Sequence, residues 1–324
     1  MLFEKQTNST VQEYMTKWLV NTKRPTLKRS SYDRVEQSLN CQIFPAIGDI
    51  KMKNLTCDDI QMMLNEISER SSFSTTKKAY VNLKSCLDLA VIKGDIKKNP
   101  MLTVVLPKNN KPDETVVYYS SVQARAIAAE AVSKYKNGNY KYRYGYIIVL
   151  LLNTGLRLGE VLALSWSDIN FTNKTLYVHN SVSTVKARGN SSKKYETIVH
   201  SPKSRKSVRY VPLNATALDA LVKIHSIMGD NERVVTTDNS NDVKPGNIHR
   251  TMERILKCCG IYGKKDIVHA LRHTFATLLL RQGTDIKVVS EILGHSDVSI
   301  TMRFYYHIIE EQKKNAITML DDIY

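Results

Sequence analysis

The chain has 324 residues, and 47 lysines and arginines against 31 aspartates and glutamates give it a formal charge of +16. That length is about twice a typical domain, so two domains are expected, and 42 % apolar residues exclude the weakly hydrophobic, highly charged class that stays disordered. The longest apolar run, Ile147 to Leu152, is far short of the roughly 18 residues that span a bilayer, and no secretory segment follows Met1, so a cytoplasmic protein without a membrane partner is expected.

Val11, Tyr14, Met15, Trp18 and Leu19 recur with helical period behind Ser9 or Thr10 as the cap. Tyr32, Val35 and Leu39 predict a second helix, ending before the Phe44-Pro45 and Gly48 break. Thr56, Asp58 and Asp59 open a third through Ile60, Met63, Leu64 and Ile67, and Ser74 opens a fourth through Tyr80, Leu83, Leu87 and Val91 that stops at Gly94. These four helices predict a small helical domain over 1–108. Residues 109–116, set among Pro107 and Pro112, read as a polar linker, and a second domain fills 117–324. There Ser121 opens a helix, Tyr146 to Asn153 is apolar on every side and expected to be buried, and Thr154-Gly155 turns into a helix starting near Arg157. Thr175 to Val185 and Glu196 to Leu213 predict one small antiparallel sheet with a long hairpin loop, and helices return from Asn247. Cys41, Cys57, Cys86, Cys258 and Cys259 are odd in number and lack CxxC spacing, so they are expected to be reduced and mostly in the core.

The positive surplus points to a polyanionic partner, most often nucleic acid. It is densest between 174 and 210, where nine basic residues face Glu196 alone. Arg157 stands among Leu156, Leu158, Val161 and Leu162, which suits an arginine that reaches a site, and Glu160 one turn on can hold its guanidinium in a plane. His269 and Arg272 share one helical face, while Leu271, Phe275, Leu278 and Leu279 stripe another that would be buried. His269, His273 and His295 could instead bind a metal, but there is no HExxH pattern and no carboxylate at ligand spacing, so no metal or other cofactor is expected. Two arginines, a lysine, histidines and a tyrosine are the groups that cut a phosphodiester without metal: donors for developing charge, an acid for the leaving oxygen and a hydroxyl nucleophile.

Thr-Gly-Leu-Arg-Leu-Gly-Glu at 154–160, His-Ala-Leu-Arg-His-Thr-Phe-Ala-Thr at 269–277 and Leu-Gly-His-Ser-Asp-Val-Ser-Ile-Thr at 293–301, followed by Tyr305 and His307, resemble the tyrosine recombinase family, its phage- and transposon-type integrases in particular. Residues 10–108, with Phe-Pro-Ala-Ile-Gly-Asp-Ile at 44–50 and Asn-Pro at 99–100, resemble that family's helical core-binding domain, so the likeness covers the whole chain. The resemblance implies a mainly helical fold: a SAM-like N-terminal domain and a mixed α/β catalytic domain with a small antiparallel sheet, closing as a C-shaped clamp on duplex DNA. It carries over Arg157, Lys203, His269, Arg272, His295 and Tyr305 as catalytic residues, with Glu160 and His307 in support. Tyr305 is preferred to Tyr306 because the family's nucleophile lies ten positions after the Leu-Gly-His histidine and two before a second histidine. Lys203 is singled out among its basic neighbours by resemblance alone. Lys186, Arg188, Lys193, Lys194, Arg205 and Lys206 are read as DNA-facing.

The implied function is site-specific recombination of a mobile element's attachment or core sites, through a 3′-phosphotyrosyl intermediate and a Holliday junction, with neither ATP nor metal. His269 would either take the tyrosine proton or orient the phosphate. The implied assembly is a homotetramer on synapsed DNA, joined by accessory DNA-bending or directionality proteins. The apolar segment from Ile308 to Ile323 would dock as a helix on a neighbouring protomer. Many such integrases carry a further N-terminal domain for arm sites, whereas here the helical domain begins almost at once. Type IB topoisomerase-like DNA relaxation and a non-catalytic DNA-binding regulator are the rival readings; exchange between two defined sites separates the first, and the retained tyrosine and arginines weigh against the second.

Overall fold

A computed structural model describes residues 7–108, 117–189, 193–201, 205–299, 301–302, 305 and 317. Residues 1–113 with 185–194 make one compact unit, and 114–184 with 195–324 make another. The expected linker, 109–116, lies outside the described residues. The return of 185–194 to the first unit is not an expectation of the sequence.

In the first unit α1 (Val11–Trp18) begins with a capping box: Thr10 Oγ1 accepts from the Glu13 amide, and the Glu13 carboxylate accepts from the Thr10 amide. A π-helical turn over Leu19–Lys23 prolongs it. Then α2 (Arg29–Ser38) runs through a second π-helical turn, Leu39–Ile43, into α3 (Phe44–Ile47). The chain thus stays helical past the expected break, because Pro45 lies in the first turn of α3, where its missing N–H has no helical partner to lose. Next, α4 (Cys57–Arg70) carries the Thr56–Asp59 capping box, and α5 (Phe73–Ile92) is capped by Ser72, two residues ahead of the expected Ser74. Met15, Leu39, Ile43, Ile60, Leu64, Leu83 and Leu87 fill the core between them.

The second unit comprises α6 (Ser121–Ala131), α7 (Gly145–Thr154), α8 (Leu158–Val161), β1 (Ile169–Asn170), β2 (Thr175–Val178), β3 (Ser181–Lys186, whose last two residues belong to the first unit), β4 (Tyr195–His200), β5 (Arg209–Pro212), α9 (Ala215–Met228), α10 (Pro245–Cys258), α11 (His269–Arg281) and α12 (Ile286–Leu293). The strands form two antiparallel assemblies rather than one sheet: β1-β2-β5, and the separate β3-β4 ribbon. In the first, Leu176 pairs with Val211 and Val178 with Arg209. As expected, Ile147 to Leu152 on α7 are buried all round. α9, which the sequence reading passes over, packs on α7 through Ala217, Ala220, Leu221 and Ile224. α11 packs against both α7 and α12, so it is buried beyond the single expected face and takes Arg272 inside with Leu271. All five cysteines are free, but only Cys86 is buried; Cys41 and Cys258 are exposed, because both fall on outward positions of helical turns. Among the described residues no helix is long and apolar enough to cross a membrane.

Candidate active site

Three helix ends build the site. Gly155 caps α7 in the left-handed region at φ 62°, which a side chain would strain, and a Cβ there would also run into the Phe275 ring. This turn delivers Arg157 to the cap position of α8, where its NH1 donates to Glu160 Oε1 at 2.8 Å and its amide donates to Glu160 Oε2 at 2.9 Å. Gly159 lets α8 lie on β3, since a Cβ would stand 2.5 Å from the Val182 carbonyl oxygen. Glu160, 3 % exposed, accepts from a second guanidinium, that of Arg209, at 3.0 and 3.3 Å. Arg209 is itself buried and donates from Nε to the Ile292 carbonyl at the end of α12. Arg272, also 3 % exposed, joins two helix C-termini: it donates to the Gly155 carbonyl at 2.7 Å and to that of Leu293 at 2.6 Å.

Histidines line the same place. His295, just past α12, is hydrogen-bonded through Nδ1 to Thr301 Oγ1 at 2.7 Å. His269 stands edge-on to His273, ring centroids 4.7 Å apart, and His273 Nδ1 lies 2.8 Å from the Tyr305 hydroxyl. Tyr305 is 1 % exposed and packs with Ala276, Leu280, Val289 and Leu293.

The charges are coupled. Burial would raise the Glu160 carboxyl, but the Arg209, Arg157 and Arg272 guanidiniums outweigh it and hold the pKa below the usual value. Burial, then the cations of Arg272 and Arg157, lowers His269 and takes His295 down to about 3. His273 falls to about 4 through burial, then His269 and Arg272. Burial also pulls the Arg272 guanidinium down, with Arg157 adding to it, and pushes the Tyr305 hydroxyl well above its ordinary value, against the pull of Arg272. A buried surplus of positive charge next to neutral imidazoles and a protonated phenol is a place built to receive an anion.

Arg157, Glu160, His269, Arg272, His295 and Tyr305 therefore converge, whereas Lys203 and His307 lie outside the described residues, as does the tail helix proposed from Ile308 onward apart from the exposed Ile317. Of the residues read as DNA-facing, Lys193, Lys194 and Lys206 are exposed, and the Arg205 side chain is outside the described set. Lys186 and Arg188 are committed within the first unit: Lys186 Nζ reaches Glu36 at 2.7 Å, and Arg188 reaches Asp33 at 2.6 Å and Glu36 at 3.2 Å while covering the Tyr32 ring. Arg209 and Thr301 are members the sequence does not place, and His273, named there only as a possible metal ligand, joins them. Arg209 was visible in principle, because Arg209 and Val211 alternate inward with Tyr210 and Pro212 outward along β5. Among the described residues no group of three His, Cys, Asp or Glu side chains could hold a metal.

Residues 122–312 match the phage integrase family, and residues 10–68 match the SAM-like N-terminal domain of phage integrases. A XerC-like tyrosine recombinase of Caldanaerobacter subterraneus subsp. tengcongensis is 32 % identical over 97 % of this chain and 83 % of its own length. The integrase of Staphylococcus phage L54a is 24 % identical over 82 % of this chain and 78 % of its own. Among solved structures, the Tn1549 transposon integrase in complex with a circular intermediate DNA superposes with a TM-score of 0.74 at 20 % identity, covering 95 % of this chain and 99 % of that one. A lambda integrase dimer bound to a core site superposes with a TM-score of 0.68 at 19 % identity, covering 91 % and 77 %. The folds agree in both the helical N-terminal part and the catalytic part. With a family match over more than half of its length and a relative aligned almost end to end, the chain belongs to the phage integrase family of tyrosine recombinases.

Proposed function

We propose a division of labour among these residues for site-specific DNA recombination, the activity of this enzyme family. Tyr305 attacks the scissile phosphate, giving a 3′-phosphotyrosyl bond and a free 5′-hydroxyl. That hydroxyl, from one duplex, attacks the phosphotyrosine of another, so bond energy is conserved through a Holliday junction and no nucleotide cofactor is consumed. Arg157 and Arg272, with His295, stabilise the charge on the non-bridging oxygens, each donor being worth on the order of a hundredfold in rate. Lys203 protonates the leaving 5′-oxygen, and Glu160 with Arg209 holds Arg157 in plane. The partners are duplex attachment or core sites of a mobile element and further copies of the chain. A lambda integrase tetramer has been solved on a Holliday junction, which supports a tetramer on synapsed DNA here. Docking of the tail in trans and accessory DNA-bending or directionality proteins complete the proposal.

One observation carries this reading: Arg157, His269, His295 and Tyr305, from separate stretches of sequence, meet around the one buried guanidinium of Arg272. To test it, the chain is incubated with a library of nicked duplexes randomised in sequence, and DNA that remains protein-linked in detergent is sequenced. Wild type should capture a defined site through Tyr305, and Tyr305→Phe should bind the recovered duplex unchanged yet form no covalent bond, since it loses one oxygen and no charge. Attachment by Tyr305→Phe, or a bond mapped to Tyr306, would overturn the choice of nucleophile. Because side chains supply the charge, cleavage should persist in excess chelator; a divalent-ion requirement in the cleavage step would overturn the mechanism.

A further inference from the structure

The Tyr305 hydroxyl is closed off from bulk water, and the histidine it touches is His273 at 2.8 Å; no hydrogen bond joins it to His269 among the described residues. His269 stands one ring further back, edge-on to His273. A phenol that attacks phosphorus must hand its proton to an acceptor, and His273 is the side chain its hydroxyl already touches.

Resting on the reading of Tyr305 as nucleophile, we infer that His273 is a catalytic residue whose Nδ1 receives the hydroxyl proton as the phenolic oxygen attacks. The Oη–P bond forms as the P–O5′ bond breaks, the proton moves to His273, and the leaving oxygen takes its own proton from the general acid. When a 5′-hydroxyl later attacks the phosphotyrosine, His273 returns the proton to Tyr305, so the ring ends each exchange as it began.

The surroundings suit this role. His273 faces His269 and Arg272 on α11, His295 from beyond α12, and Tyr305. Burial and the charges of His269 and Arg272 hold its pKa at about 4, so the ring is neutral at pH 7 and one nitrogen keeps the lone pair that an acceptor needs. This role requires the tautomer that carries its proton on Nε2, which leaves Nδ1 to accept from the Tyr305 hydroxyl. A phosphate held by Arg272 offsets part of the positive charge that keeps the ring weakly basic, so proton transfer is less uphill once DNA is in place.

The test uses the full chain and the nicked duplex captured by wild type, with covalent attachment followed in single turnover from pH 6 to 9. His273→Asn leaves an acceptor oxygen near the Nδ1 position but no base; His273→Phe keeps the ring shape and removes both. Both variants should bind the duplex within about twofold of wild type and attach to it on the order of a hundredfold to ten-thousandfold more slowly. Their residual rates should climb about tenfold per pH unit as hydroxide replaces the ring, whereas wild type stays flat. Attachment by His273→Asn within threefold of wild type, or a loss with a flat pH profile, would overturn the inference, and the Asn variant decides if the Phe variant misfolds. Absence of any wild-type bond to Tyr305 would overturn the nucleophile reading as well, which separates the two failures.

Discussion

Glu160 is a carboxylate shut between Arg157 and Arg209, with a third guanidinium near enough to lower its pKa. Removing its charge strands a buried arginine, so Glu160→Gln should destabilise the protein by about 3–5 kcal/mol in urea denaturation, the usual consequence of breaking a buried pair from one side. A loss below about 1 kcal/mol would mean that Arg209 finds another partner. Histidines set the acid response. His273 and His295 have folded pKa values of about 4 and 3, below the ordinary 6.5. Between those values and 6.5 the unfolded chain binds protons that the folded chain refuses, so stability is full above about pH 6.5 and falls as the pH drops toward 4. The melting temperature should therefore decline from pH 7 to 5, before ordinary carboxylates titrate, and replacing both histidines by Gln should flatten that decline. An unchanged slope would refute the assignment.

At the scale of elements, α4 offers a self-contained case: Thr56 Oγ1 accepts from the Asp59 amide, and Asp59 Oδ2 accepts from both the Thr56 amide and its hydroxyl. Thr56→Ala should cost about 1 kcal/mol of the first unit's stability without touching cleavage. Gly159→Ala should do the reverse. Its new methyl would meet the Val182 carbonyl and, at 2.7 Å, the Ser181 hydroxyl, so α8 must ride up from β3 and take Arg157 and Glu160 with it. A displacement of about 1 Å costs on the order of a hundredfold in rate, so single-turnover cleavage should fall by that much while duplex binding stays within a few fold. Elements of this kind were legible where a cap precedes a clean apolar period, as at Thr10 and Thr56. The sequence misled where continuity overrode a breaker, at Phe44-Pro45, and where β5 runs almost directly into α9, so that Asn214, whose side chain caps α9 and is a readable start signal, follows the strand residues with no intervening loop. The site's motifs were legible residue by residue; that His273 rather than His269 touches Tyr305 depends on how α11 is rotated between α7 and α12, which no spacing states.

For the molecule as a whole, a charge of +16 implies DNA binding that weakens steeply with salt, each phosphate contact contributing about 0.9 to the slope of log K against log salt concentration. The +16 is not uniformly available. Lys186 and Arg188 already answer Glu36 and Asp33, so Lys186→Ala should change that slope by less than about half of one contact. A full unit of change would show that DNA displaces Glu36 from the lysine.

The pair of hydrogen bonds that Arg272 donates to the carbonyls of Gly155 and Leu293 has a consequence for how the protein breathes. Two helix C-termini that share one guanidinium cannot fray independently, so they should open as a single cooperative unit. The amides that close these turns, Gly155 onto Leu151 at one end and Gly294 and His295 onto Glu291 and Ser290 at the other, should then exchange with deuterium at one common free energy of opening. In Arg272→Ala the two sets should separate into different exchange classes, and a phosphate anion added to the wild type should slow both sets together.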